Sequence, residues 1–120
     1  MTEILIISHS SHIAEGTKAL VEQMAKDVTI RASGGVDGSI GTNSAQISSM
    51  LNDVEEDTIC FYDIGSSLMN LEMAVEMYDG GHNIHVSGAP LVEGSFLAGV
   101  EISVGTDTES IMEKLSEMQK

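Results

Sequence analysis

Ile4-Leu5-Ile6-Ile7-Ser8-His9-Ser10-Ser11 is the stretch that decides how this chain folds. Four consecutive aliphatic residues, three of them β-branched, describe a strand buried on both faces, as in a parallel sheet. The serines that follow are helix N-cap residues, and Ile13, Thr17, Leu20, Val21 and Met24 then recur at helical spacing. His9 therefore stands where a buried strand hands over to a helix N-terminus. Such a terminus offers unpaired backbone N–H groups and the positive end of a dipole, both of which favour an anion. An imidazole at that point is a candidate to carry a phosphoryl group covalently.

The same alternation of short apolar runs and helical segments continues along the chain. Val28-Thr29-Ile30 predicts a second strand, and Ser33 to Gly41 a flexible glycine-rich loop suited to contacting a partner. A helix capped by Thr42 or Asn43 follows, with Ile47, Met50, Leu51 and Val54 on its core face. Thr58 to Tyr62 is the third strand, and it ends in Asp63-Ile64-Gly65-Ser66-Ser67, a second strand-to-helix turn with small residues and a ready N-cap. The helix after it has two apolar faces, Leu68, Leu71, Val75 and Tyr78 on one side and Met69, Met73 and Met77 on another, so one can meet the sheet and the other a second subunit. Gly80-Gly81 is its stop, and Ile84-His85-Val86 a fourth strand. Pro90 opens a helix rich in small residues, and Thr106 with Glu109 reads as the capping box of a last helix that buries Ile111, Leu115 and Met118.

These elements predict one α/β domain over residues 1–120, a three-layer sandwich around a mainly parallel four-stranded sheet of order 2-1-3-4. In that order the first and third strands are neighbours, and ligands bind beyond their C-terminal ends, at the topological switch point. His9 ends one strand and Asp63 the other. A carboxylate there can accept a hydrogen bond from one ring nitrogen, fix the tautomer and leave the other nitrogen as nucleophile. The amides of Ser10, Ser11, Gly65, Ser66 and Ser67 are the expected phosphate ligands.

Composition narrows the partners. Nineteen acidic residues against five basic ones give a net charge of -14, which disfavours nucleic acid and anionic membranes and points to protein partners. No apolar run approaches the roughly 20 residues of a membrane span, and Met1-Thr2-Glu3 lacks the basic region of a signal peptide, so a cytoplasmic location is expected. The lone Cys60 reads as a buried thiol. His9, His12 and Asp63 fall short of the ligand set of a zinc site, and no metal is expected. Gly35, Gly38 and Gly41 lack the order of a nucleotide-binding motif, and His82 and His85 read as ordinary sheet and surface histidines.

Ile7-Ser8-His9-Ser10, Gly34-Gly35 through Ile40-Gly41-Thr42, Asp63-Ile64-Gly65-Ser66 and Ala89-Pro90-Leu91-Val92-Glu93-Gly94 together resemble the phosphotransfer subunits of phosphoenolpyruvate-dependent dihydroxyacetone kinases, the DhaM family, relatives of the mannose-type enzyme IIA domains. The resemblance spans the whole chain. It implies a homodimeric α/β domain whose counterpart of His9 accepts phosphate from the phosphocarrier protein HPr, supported by the counterpart of Asp63. It implies further that the phosphate passes to ADP held in the DhaL subunit, for phosphorylation of dihydroxyacetone on DhaK, with no cofactor bound by the carrier itself. Sugar-transport relatives carry a longer Gly-Gly-Ser-Pro signature after the aspartate, where this chain has Ile64-Gly65-Ser66-Ser67. Some relatives include an HPr-like domain, and some have a basic residue in place of His12; this chain is expected to use separate HPr. The alternative is a regulatory or sugar-transport IIA domain of the same fold, whose His9 phosphorylation controls a partner.

Overall fold

The computed structural model describes residues 1–119. Its elements alternate in chain order: β1 (Glu3–Ser8), α1 (Ser11–Met24), β2 (Ile30–Gly34), α2 (Ser44–Asn52), β3 (Thr58–Tyr62), α3 (Gly65–Met77), β4 (Ile84–Ser87), α4 (Leu91–Ser103) and α5 (Thr108–Ser116). The strands form one parallel sheet of order β2-β1-β3-β4, as the alternation of elements predicted. All four strands therefore end on the same edge.

Side chains of β1 alternate between two cores, as the pleat requires. Ile4 and Ile6 join Ile59 and Phe61 of β3 beneath α1, α4 and α5. Leu5 and Ile7 join Cys60 beneath α2 and α3, with Ile47, Leu51, Leu71 and Ala74. Each sheet face is thus covered by helices, giving three layers. The small residues of α4 let it seat closely on α1: a Cβ on Gly99 would overlap the side chain of Val21. At the edge opposite His9, buried Glu3 pairs with Arg31, whose second guanidinium nitrogen donates to the carbonyl of Asp53 at 3.0 Å.

Four local expectations are corrected. The second strand lies later than Val28–Ile30, and takes in Ser33 and Gly34, because pairing with β1 sets its register, Ile4 against Ile30 and Ser8 against Gly34. α1 buries the narrow stripe Ala14, Thr17 and Val21, while Ile13, Leu20 and Met24 are exposed. α3 has no side-chain cap and already ends at Met77, ahead of the two glycines. α5 is capped by Asp107, which accepts from the Ser110 amide at 2.7 Å, and Thr106 bonds Glu101 instead. Asn43, rather than Thr42, caps α2.

The loop between β2 and α2, expected to be flexible, is instead tied by hydrogen bonds within itself, to the His9 turn and to α3. Val36 and Ser39 form an antiparallel bridge around Asp37 and Gly38, both at positive φ, as a tight two-residue turn demands. Gly41 then donates its N–H to the carbonyl of His9 at 2.8 Å. Thr42 is tied to α3 by Asn70, whose Nδ2 donates to the threonine hydroxyl at 2.6 Å. Gly34 has a separate task, since a Cβ there would overlap the backbone of Ser10; its absence lets β2 pass directly beneath the turn that carries His9.

Candidate functional site

Parallel strands β1 and β3 are paired along their length, so the residues just past their ends must meet. His9 and Asp63 do. The Nδ1 of His9 lies 3.0 Å from Oδ1 of Asp63, with both side chains about one-sixth exposed. The backbone N–H of His9 donates to Oδ2 of the same carboxylate at 2.9 Å. A carboxylate that is only an acceptor requires the ring to donate from Nδ1, which leaves the Nε2 lone pair free for chemistry. Nε2 faces the hydroxyl of Ser66, 2.5 Å away.

Asp63 is the centre of a larger network. Its Oδ2 also accepts from the Ser8 hydroxyl at 2.9 Å, and its Oδ1 from the amide of Ile64 and the hydroxyl of Ser67, both at 2.7 Å. Five donors thus converge on one carboxylate. Burial raises its pKa, but the hydrogen bonds from His9, Ser67 and Ser8 outweigh that and hold the group well below the usual carboxylate range. It stays charged, able to balance positive charge on the imidazole ring.

The expected phosphate ligands divide. The first-turn amides of Ser11 in α1, and of Gly65 and Ser66 in α3, have no partner among the described residues and stand at helix N-termini beside His9. Ser10 and Ser67 do other work. The Ser10 amide donates to the Ser8 hydroxyl at 3.1 Å, while its own hydroxyl caps α1 at the Ile13 amide. Ser67 is fully buried, its amide donating to the Ile64 carbonyl and its hydroxyl to Asp63. Two participants escaped the sequence reading: the Ser8 hydroxyl, which braces Asp63, and the free amide of His12. The latter follows from the rule that the first turn of a helix leaves its N–H groups unpaired, once Ser11 is known to be its first residue. The His12 ring, like His82 and His85, does not join His9.

No lysine or arginine occurs before residue 18 or between Arg31 and Lys114, so among the described residues the turns that carry His9, Gly41 and Asp63 lack a fixed cation. An anion here is met by helix termini and hydroxyls alone. Behind Asp63 a cleft of about 290 Å3 lies between the ends of β3 and β4, lined by Tyr62, Gly88, Pro90, Leu91 and Met118.

A doubly wound parallel sheet with a histidine and an aspartate paired at its switch point defines the site on which the comparisons with known proteins bear. The family model described as the PTS system fructose IIA component matches residues 3–112, and the chain belongs to that family. Within it, the chain is 36% identical over 117 residues to the PTS-dependent dihydroxyacetone kinase phosphotransferase subunit DhaM of Lactococcus lactis subsp. lactis, covering 96% of this chain and 94% of the relative. A crystal structure of a protein of unknown function superposes with a TM-score of 0.88 at 33% identity, over 99% of this chain and 95% of that one. The mannose/sorbose specific IIA subunit from Enterococcus faecalis superposes with a TM-score of 0.63 over 98% and 88% of the two chains; at 17% identity this shows the common fold alone.

Proposed function

We propose that this chain is the phosphoryl donor subunit of a phosphoenolpyruvate-dependent dihydroxyacetone kinase, carrying the phosphoryl group on Nε2 of His9. The observation that carries the reading is the Nδ1 to Asp63 contact, which orients the ring and leaves Nε2 as the nucleophile. Near-full-length similarity to a subunit named for this activity supports the choice of pathway. In the first step the Nε2 lone pair attacks the phosphorus of phosphorylated HPr, the Nε2–P bond forms as the donor's N–P bond breaks, and that electron pair returns to the donor histidine. The His9 ring, still protonated on Nδ1, becomes cationic, and the Asp63 carboxylate stabilises that charge. The Ser66 hydroxyl turns away from Nε2 as phosphorus arrives and donates to a phosphoryl oxygen, with the amides of Ser11, His12, Gly65 and Ser66 around it. In the second step a β-phosphate oxygen of ADP, bound in DhaL, attacks in line and the N–P electron pair returns to Nε2. ATP made there phosphorylates dihydroxyacetone on DhaK.

This chain binds no cofactor in the scheme, acts in the cytoplasm and works as a homodimer. Met69, Met73 and Met77 of α3 are all more than half exposed, and the first two, with Val75 of the same helix and Val86 of the edge strand β4, line an open groove of about 540 Å3 suited to a second copy. The test of function is labelling with phosphoenolpyruvate, enzyme I and HPr. One phosphoryl group should appear, stable in alkali and lost in acid, absent from His9→Ala and retained when His12, His82 or His85 is replaced. The label should persist with free ADP and discharge with ADP bound in DhaL. Discharge to a sugar-permease domain while DhaL is ignored would favour the transport reading.

A further inference from the structure

Three exposed isoleucines stand on three separate elements at the His9 edge. Ile40, in the anchored loop, is 74% exposed; Ile64, at the start of α3, 60%; and Ile13, in the first turn of α1, 49%. The backbone fixes each beside the site. Ile40 lies between Ser39, bonded to Val36, and Gly41, whose N–H is bonded to the carbonyl of His9. The Ile64 amide donates to the Asp63 carboxylate, and the Ile13 amide is held by the Ser10 hydroxyl. None of the three contributes to either core. Burying such a side chain against another surface is favourable by roughly 1.5–3 kcal/mol, so leaving all three in water round one imidazole forgoes substantial stability in the free protein.

Resting on the proposed function, we infer that Ile13, Ile40 and Ile64 form an apolar collar that docks the phosphoryl-donating protein and seals the transferring group from water. Two observations define the occupant. A reactive phosphorus must approach Nε2 within bonding distance, so the surface round His9 is necessarily covered by the partner during transfer. The described turns around His9, residues 8–13, 34–42 and 63–68, contain no lysine or arginine, so beyond the helix termini and hydroxyls of this chain any basic side chain facing the travelling phosphoryl group is left to the partner. The collar thus fits a protein that surrounds its own phosphorylated residue with an apolar face bordered by basic side chains. It recognises the partner while adding nothing to the chemistry at Nε2.

That division of labour is measurable. Ile13→Ser, Ile40→Ser and the double variant are compared with wild type in two reactions: transfer from phosphorylated HPr, and direct labelling of His9 by the small donor phosphoramidate, which needs no docking. The single variants should raise KM for phosphorylated HPr at least tenfold, and the double variant further, with kcat within about twofold. Ile40→Leu should restore KM. Labelling by phosphoramidate should stay within about twofold of wild type in all of them. Val104→Ser, at a residue 72% exposed at the far end of α4, should change neither reaction. Unchanged KM in the double variant overturns the collar. So does an equal loss of phosphoramidate labelling, which would make the isoleucines positioning residues, and so does a change in sedimentation, which would assign them to self-association. If wild-type His9 is labelled by neither donor, the proposed function itself falls.

Discussion

Replacing Asp63 by asparagine changes one oxygen into an NH2 group, and the structure leaves that group nowhere to go. Oδ2 receives the backbone N–H of His9 and Oδ1 receives the backbone N–H of Ile64. Serine hydroxyls can rotate to accept, but a backbone amide cannot. Either orientation of the new side chain therefore sets two donors against each other, at a cost of about 1–3 kcal/mol for the unmade bond, and the surviving bonds lose their charge assistance. A total of about 2–4 kcal/mol is expected, seen as a fall in Tm of roughly 6–20 °C for a chain of this size. Because folding holds the carboxyl below its ordinary value, its contribution is complete above about pH 5 and drains away as the pH falls below the unfolded-state value near 3.9 and through the folded one. The difference in stability between wild type and Asp63→Asn, measured by urea unfolding, should therefore be full at pH 7 and shrink steadily below about pH 4. Phosphoryl transfer through His9 should slow on the order of 100-fold or more, from lost orientation and lost charge balance. A variant with wild-type Tm, or a stability difference that ignores pH, would refute the donor-conflict reasoning.

Three further outcomes follow from geometry already described. Ser66→Ala should leave unfolding within about 0.5 kcal/mol of wild type, since the residue is exposed, yet slow transfer roughly tenfold or more by removing a donor to the charged phosphoryl group, as single-turnover labelling would register. Gly34→Ala forces a methyl group into the Ser10 backbone and should cost about 1–3 kcal/mol in denaturant unfolding, whereas Gly16→Ala in α1, with open space around it, should be neutral or stabilising by up to about 1 kcal/mol. Arg31→Met leaves Glu3 buried without its partner and should destabilise by roughly 3–5 kcal/mol, much of it recovered when Glu3 is also made apolar.

The layout of the site was legible because it depends on few facts. An unbroken aliphatic run marked β1 as an interior strand, a second run marked β3, and the order of a doubly wound sheet brings the residues after them together. His9 and Asp63 needed no more than that. β2 was misplaced because an edge strand need not be apolar: Arg31 and Ser33 lie within it, and pairing with β1 rather than hydropathy fixes its limits. The apolar spacing of α1 overstated its buried face, since Leu20 and Met24 continue the periodicity on its exposed side. Ser10 and Ser67 look as suited to phosphate as Ser11 and Ser66. What separates them is which donor an adjacent hydroxyl or carboxylate has already taken, and that is decided by tertiary contacts such as Ser8 to Asp63. The cap of α5 slipped by one residue because Thr106 and Asp107 are both good caps, and Glu101 engages the first of them.

With the imidazole clamped by its carboxylate and the carboxylate held by four other donor contacts, the proposed relay has a single moving part, the one-bond rotor of Ser66. Side-chain rotation at an exposed position takes picoseconds to nanoseconds, far shorter than the lifetime of any protein encounter. A carrier built this way has no slow internal clock. Its throughput is set by how often partners meet it and how soon they leave, so its flux should track viscosity and partner abundance in a crowded cell more closely than it tracks the intrinsic barrier of the phosphoryl step.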